Sequence, residues 1–242
     1  MLHIRCGPGD VAGRVIVCGD PGRARRAAEF MEGARLVNEN RGLLTYTGRY
    51  GGMPVTVSTT GMGAPSAAIV MEELAMLGAK AVIRVGTTGG IGRGVEIGDV
   101  VVPSAAIPLD GATRAYAGSG APQCPDARLS DLVSGEAGRR GLRCHRGKVC
   151  SSDTFYLEEE RSAEAWRGRG ALSFEMECSV IFALARLRGY RAAAILTVTG
   201  RIQGAGERVL DPGDTAGAIE KSIICAFEAL KSDMQPGGSA LK

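Results

Sequence analysis

Histidine is scarce in this chain, and the sequence features typical of metal-binding proteins, nucleic-acid-binding proteins and serine hydrolases are absent. The chain holds only two histidines, His3 and His145, and no Cys-x-x-Cys pair among seven cysteines, so no metal site is expected. Basic residues number 29 and acidic residues 26. That surplus is too small for the basic patches of proteins that bind nucleic acid or membrane surfaces. No Gly-x-Ser-x-Gly sequence occurs, which argues against serine hydrolase chemistry.

Long apolar runs are absent as well. The first residues contain no apolar core of signal-peptide length. The uncharged stretch 50–71 is interrupted by Pro54, Gly61, Gly63 and Pro65, so it does not predict a transmembrane helix. We therefore expect a cytoplasmic protein that binds neither membrane nor nucleic acid.

The composition that remains is that of a globular α/β protein. Hydrophobic residues make up 45% and charged residues 23% of 242 residues, which is ordinary for a folded domain. Short apolar runs alternate with helical patterns, which favours a largely parallel sheet covered by helices. No linker divides the chain, so residues 1–242 are expected to form one domain, with 235–242 as a frayed tail.

The expected elements follow from apolar periodicity and from glycine and proline positions. Strands are predicted over 14–18, 43–50, 54–59, 81–85, 99–102, 143–149 and 192–198. Helices are predicted over 22–30, 64–77, 158–167, 178–187 and 214–231. The Pro-, Gly- and Ser-rich stretch 103–125 is predicted to be a loop.

The segment Gly19-Asp-Pro-Gly-Arg23 joins a predicted strand to a predicted helix. Backbone N–H groups at such a helix start suit an anion, and Arg23 adds a bidentate donor. The alternative is an ordinary turn with a solvated arginine, which this segment alone favours.

A second glycine-rich segment, 60–66, nearly matches a dinucleotide-binding fingerprint. Its third glycine is replaced by Ser66, and the next predicted strand ends in Gly86 without an acidic residue for a ribose hydroxyl. An NAD site is therefore not expected.

Arg84 lies inside an apolar strand, where a charge is costly unless it is paired. Thr87 and Thr88 follow at the carboxyl end of that strand, where open α/β sheets bind ligands. An internal salt bridge is the alternative, but two basic strand ends in one short chain favour an anionic ligand.

Glu175 and Glu177 lie two residues apart among apolar neighbours. In an extended segment both would face the same way and could accept hydrogen bonds from sugar hydroxyls. Acidic residues favoured by a helix dipole are an equally good interpretation.

Taken together, these segments resemble the nucleoside phosphorylase family, which contains uridine, hexameric purine nucleoside and methylthioadenosine phosphorylases. The resemblance implies a single α/β domain with a mixed, largely parallel central sheet flanked by helices. The segments that carry it are Gly19-Asp-Pro-Gly-Arg23, Asn38-Glu-Asn-Arg41-Gly, Thr59-Thr-Gly-Met-Gly-Ala-Pro-Ser-Ala-Ala-Ile69, Glu73-Leu74, Arg84-Val-Gly-Thr-Thr-Gly89, Ser151-Ser-Asp-Thr-Phe-Tyr156 and Glu175-Met-Glu177.

The resemblance also implies roles for individual residues. Phosphate would be held by Gly19, Arg23, Arg84 and Thr87, and by Arg41 of a neighbouring subunit. Ribose would be held by Met176, Glu177 and a neighbour's His3, although a near-terminal histidine by itself suggests a disordered tail. The base would contact Thr88, Gly89, Phe155, Glu159, Arg161 and Arg201. Arg84, Glu177, Arg161 and Arg201 would be the catalytic set.

The implied reaction needs inorganic phosphate as co-substrate and no cofactor, because phosphate itself attacks C1′. The enzyme must place that anion and stabilise the charge on the departing base. The implied assembly is a hexamer, a trimer of dimers with sites shared between subunits. A hydrolytic nucleosidase would have no need for three phosphate arginines, and a binding protein would not need an intact catalytic set.

Base preference depends on a few positions. Gly200 stands where purine-cleaving relatives have an aspartate, and Arg201 stands where uridine phosphorylases have an arginine. Arg161 matches a uracil-reading arginine, while Glu159 replaces a glutamine and can accept but not donate a hydrogen bond. The resemblance thus favours uridine cleavage in pyrimidine salvage, with purine nucleoside or methylthioadenosine phosphorylase as the alternative.

Overall fold

The computed structural model describes residues 1–156, 160–203, 207–210 and 212–234; side chains are not described at 160–162, 203, 207–210 and 212–214. The strands are β1 Arg14–Cys18, β2 Glu32–Asn38, β3 Thr45–Tyr50, β4 Met53–Thr59, β5 Ala81–Gly90, β6 Val100–Pro108, β7 Cys144–Ser151, β8 Ala171–Glu175, β9 Arg191–Gln203 and β10 Glu207–Leu210. The helices are α1 Pro21–Ala28, α2 Ala64–Met76, α3 Gly111–Ala117, α4 Ala127–Arg139, α5 Glu160–Gly168, α6 Cys178–Arg188 and α7 Pro212–Ser232.

The strands form one mixed sheet in the order β10-β9-β6-β7-β8-β5-β1-β4-β3-β2. Strand β9 also pairs in parallel with the whole length of β5, so β5, β8, β7, β6 and β9 close into a ring. The parallel centre, β4-β1-β5-β9, brings the carboxyl ends of its strands to one edge. Ligands bind at such edges in α/β proteins.

Helices cover the sheet on both faces because successive strand residues point to opposite sides. In β1, Val15 and Val17 pack in one apolar cluster with α2 and α6. Ile16 and Cys18 pack in the other cluster, with α1, α4 and α7. The predicted α/β class with a mixed central sheet flanked by helices is confirmed.

The stretch 103–125 was wrongly predicted to be a loop. Strand β6 continues to Pro108, and the register shift after Pro103 shows how the sheet tolerates a proline there. Helix α3 then begins after Asp110, whose side chain accepts from the Thr113 N–H at 2.6 Å, and ends at left-handed Gly118. Strands β2, β8 and β10 and helix α4 were not predicted.

The amino terminus is ordered, so the disordered tail suggested by the position of His3 is wrong. The Glu73 carboxylate on α2 accepts the N–H groups of Leu2 (3.1 Å), His3 (3.1 Å) and Ile4 (2.8 Å). Ile4 is fully buried. The predicted tail 235–242 lies outside the described residues.

Two further observations concern the cysteines and the length of the helices. None of the seven cysteines, all of which lie in the described ranges, forms a disulfide, and Cys18 and Cys178 are buried. Within the described ranges, no helix has the length and apolar character needed to cross a membrane.

Candidate active site

A cavity of about 220 Å³ opens where β1, β5 and β9 end. Ten residues predicted for the site line it: Gly19, Arg23, Arg84, Thr87, Thr88, Gly89, Phe155, Met176, Glu177 and Arg201. The other lining residues are Asp20, Met62, Phe174, Glu175, Thr199, Gly200 and Ile202. The glycine motifs and the family resemblance together located the cavity, whereas Met62, Phe174 and Ile202 had no predicted role in it.

Arg84 is a buried cation between two carboxylates. Its Nη2 donates to Glu177 Oε2, and its Nε lies 3.5 Å from Glu175 Oε2. Burial disfavours the charge, but the surrounding acidic groups, Glu177 first among them, together outweigh burial and hold the pKa of Arg84 above its ordinary value. The internal salt bridge that the sequence offered as an alternative is thus present. The guanidinium remains charged at all working pH values.

The same guanidinium retains donors that nothing in the described part of the chain engages. Its Nη1 is buried without a hydrogen-bond partner there. It lies on the Gly19 side of the cavity, 3.9 Å from the position of a Cβ at Gly19. A buried unpaired donor costs roughly 1–3 kcal/mol. An anion bound beside Gly19 would remove that cost.

Helix α1 begins at the same place. Asp20 precedes it and accepts from the Arg23 N–H at 2.6 Å, and Pro21 occupies its first turn. The Arg23 side chain crosses to β5 and donates from Nη1 to the Val85 carbonyl at 3.2 Å. Arg23 is therefore fixed beside Arg84 at a positive helix end, not solvated on an ordinary turn.

Glu175 and Glu177 both contact Arg84, and the helix-dipole alternative raised by the sequence applies to Glu175. Strand β8 ends at Glu175 and α6 begins at Cys178, so the two carboxylates do not share a strand. Glu175 accepts a hydrogen bond from the Ser151 hydroxyl. It also accepts from the N–H groups of Glu177 and Cys178, and both of these bonds are 2.9 Å long. It thus caps α6.

Glu177 lines the cavity as well, where it accepts from other donors. Its Oε1 accepts from the Gly63 N–H at 2.7 Å, and its Oε2 from Arg84. Burial raises the pKa of Glu177, and the charge of Arg84 opposes that effect. The site thus holds an acceptor carboxylate directly against the buried arginine.

The opposite end of the cavity is formed by β5 and β9. Gly89 and Gly200 pair across these strands, and the absence of both side chains leaves room there. The Thr88 hydroxyl donates to the Phe174 carbonyl at 2.7 Å, so Thr88 shapes this wall. Arg201 brings a guanidinium, whose Nη1 lies 2.6 Å from Glu96 Oε2.

His3 and Arg41 do not line this cavity. They lie together elsewhere, because the Asn40 side chain donates to the His3 carbonyl at 2.8 Å. Arg41 is exposed and has a left-handed backbone, with φ of 58°. Glu159 and the Arg161 side chain, both predicted to contact the base, lie outside the described residues.

Comparison with known proteins identifies the family. The family model described as "Phosphorylase superfamily" matches residues 14–230. A uridine phosphorylase of Thermococcus kodakarensis is 36% identical over 95% of this chain and 85% of its own length. A guanosine phosphorylase of Halorubrum lacusprofundi is 37% identical over 88% of each chain. The crystal structure of a uridine phosphorylase from Vibrio fischeri superposes with a TM-score of 0.87 at 32% identity, covering 95% of this chain and 96% of that one.

Proposed function

The chain belongs to the phosphorylase superfamily, and we propose that it acts there as a uridine phosphorylase in pyrimidine salvage in the cytoplasm. It is a pentosyltransferase of the nucleoside phosphorylase type. The proposed reaction transfers the ribosyl group of uridine to phosphate, giving uracil and ribose 1-phosphate. It uses phosphate as co-substrate and no cofactor.

The unpaired Nη1 donor of buried Arg84 carries this proposal. It lies beside the start of α1 and near Arg23, so one small volume has two guanidinium groups and a positive helix end. A phosphate dianion bound there meets charge-assisted donors on more than one side. Its oxygen can then attack the sugar carbon without help from a protein nucleophile.

Glu177 supports the neighbouring sugar subsite. Its carboxylate accepts a hydrogen bond from Arg84, and Met176 lies beside it on the cavity wall. We assign Glu177 to the ribose hydroxyls, which would keep C1′ next to the bound phosphate. Holding two reactants in this way removes much of the entropic part of the barrier.

The base end favours uracil. When the glycosidic bond breaks, its electron pair goes to the base nitrogen and spreads onto the adjacent carbonyl oxygen of uracil. A guanidinium such as Arg201 stabilises that oxygen. Residue 200 is glycine, and the acidic residues described on the cavity wall are Asp20, Glu175 and Glu177, near the phosphate and ribose subsites. Among the described residues, the base end therefore offers no acid to protonate a purine.

Guanosine is the second candidate substrate. One of the relatives above is named guanosine phosphorylase, and guanine carries a carbonyl oxygen that Arg201 could also contact. Purine or methylthioadenosine cleavage would then have to proceed without an acid at residue 200.

The proposed assembly is a homohexamer that shares its sites between subunits. Exposed apolar side chains occur at the amino terminus and on α2, to which it is bonded. Leu2 is 81% exposed, and Ile69 and Met76 on α2 are 41% and 68% exposed. Residues 69, 73 and 76 lie on one face of α2, and Glu73 on that face holds His3. A second subunit covering this face would bury apolar area and meet His3 and Arg41.

Base release from four nucleosides tests the proposed function. Uridine, guanosine, inosine and methylthioadenosine are each incubated with the purified protein, with and without phosphate, and the free base is quantified by chromatography. We expect uracil, released only with phosphate. Release of a purine base in preference to uracil would overturn the base assignment. Release without phosphate would overturn the phosphorylase mechanism, and no release from any nucleoside would indicate a binding protein.

A further inference from the structure

We propose that Glu96 is a positioning residue for the base end of the cavity, acting through Arg201. The inference rests on the proposed function, since it concerns how the same site meets its base. Glu96 does not line the cavity. It contacts a residue that does, because its Oε2 lies 2.6 Å from Arg201 Nη1.

The pair lies at the edge of the cavity. The Arg201 side chain is 23% exposed and the Glu96 side chain 50%. Arg201 Nε is buried and has no hydrogen-bond partner in the ranges that the structure describes. Glu96 therefore contacts the guanidinium at Nη1, while the Nε donor has no partner in the described ranges.

The backbone of Glu96 is itself fixed. Asp99 Oδ2 accepts the Glu96 N–H at 2.9 Å and lies 2.7 Å from His145 Nε2. The Asp99 N–H in turn donates to the Glu96 carbonyl at 3.1 Å. The His145 side chain is only 20% exposed and ties this turn to β7. Glu96 thus extends from an anchored turn between β5 and β6.

Anchoring matters because an arginine side chain has many rotamers. An exposed ion pair adds little to stability, but a carboxylate that holds one guanidinium nitrogen limits the orientations of the remaining donors. Donors oriented before binding lose less entropy when a ligand arrives.

A mutant cycle tests the inference. Glu96→Ala should lower kcat/KM for the nucleoside about tenfold, the factor that roughly 1.4 kcal/mol gives, and leave KM for phosphate unchanged. Glu96→Gln keeps an oxygen acceptor for Nη1 and should restore most of the loss. In an Arg201→Ala background, Glu96→Ala should have no further effect. Glu29→Ala is the matched control, since it removes an exposed glutamate paired with Arg26 outside the cavity.

The inference is overturned if Glu96→Ala leaves the nucleoside kcat/KM unchanged, or lowers it equally when Arg201 is already absent. The base-release assay on the wild-type protein is done first, and it tests the proposed function independently of the mutant cycle. If a purine nucleoside is the better substrate, the cycle is measured with that nucleoside. If none is cleaved, the cycle is measured on calorimetric uridine binding, and absence of binding by the wild type would overturn both proposals.

Discussion

At the scale of single residues, the Arg84 guanidinium forms ion pairs with two carboxylates and still has a donor, Nη1, available for a ligand. Lysine would keep the charge, but its single nitrogen cannot contact Glu177 and an anion in the same planar arrangement. We expect Arg84→Lys to lower kcat/KM for phosphate about 100-fold, the loss typical of one missing transition-state donor. Steady-state kinetics with varied phosphate measures it. Arg186→Lys, on the exposed side of α6, is the control, and equal activity of both variants would contradict the assignment.

Gly86 provides the space in which the Arg84 side chain lies. A Cβ there would lie 2.9 Å from Arg84 Cζ and 2.7 Å from Leu196 Cδ2. Gly86→Ala should therefore displace the guanidinium, raise KM for phosphate and destabilise the fold by about 1–3 kcal/mol. Phosphate kinetics and denaturant unfolding measure the two effects. Gly138→Ala in α4, where a Cβ meets nothing within 4 Å, should cause neither effect. An unchanged KM in Gly86→Ala would count against the geometry.

At the scale of elements, the amino-terminal segment depends on one carboxylate. Burial raises the pKa of Glu73, but hydrogen bonds from His3 and from the N–H groups of Ile4, His3 and Leu2 outweigh it and hold the pKa below 4.5. Such a group stabilises the folded arrangement above its ordinary pKa, and that contribution is lost as pH falls through the lowered value. The segment should therefore loosen in acid, before the sheet does.

Hydrogen–deuterium exchange of the amino-terminal peptide, corrected for intrinsic rates, measures this loosening. In the wild type, protection of residues 2–4 should be high at neutral pH and fall as pH drops below 4.5. Glu73→Gln should show weak protection at neutral pH and no further acid step. Constant protection of the wild type across that range would show that Glu73 does not hold the segment.

Elements whose signal is local were predictable, and elements formed by distant pairing were not. Strand β1 and helix α6 follow from short apolar runs bounded by glycine. Strand β8 has five residues and exists because it pairs with β7 and, through Phe174, with β5. Pro103 reads as a strand breaker, yet a register shift accommodates it in β6. Propensity is therefore a weak guide where tertiary pairing decides.

At the scale of the whole molecule, the site consists of residues brought together from five or more elements. The glycine motifs were recognisable because they follow strands, and Arg84 because it is a charge inside an apolar strand. The contact of Glu96 with Arg201 joins residues 105 positions apart, and no local pattern marks it. The capping role of Glu175 likewise depends on where β8 ends. The motifs and the family resemblance predicted ten of the residues that line the cavity, whereas the supporting contacts of Glu175 and Glu96 were visible only in the structure.

The proposed assembly gives the last prediction, because activity should depend on it. Met76 is 68% exposed on the α2 face that holds His3, and burying a charge there costs several kcal/mol unless it is paired. Met76→Glu should therefore give a smaller particle by light scattering and lose most of its activity, since His3 and Arg41 would no longer reach a neighbouring site. Met234→Glu, following α7 on the opposite face of the sheet, is the control and should remain assembled and active. A Met76→Glu protein that is folded, dissociated and fully active would mean that each subunit completes its own site, and the roles assigned to His3 and Arg41 would be wrong.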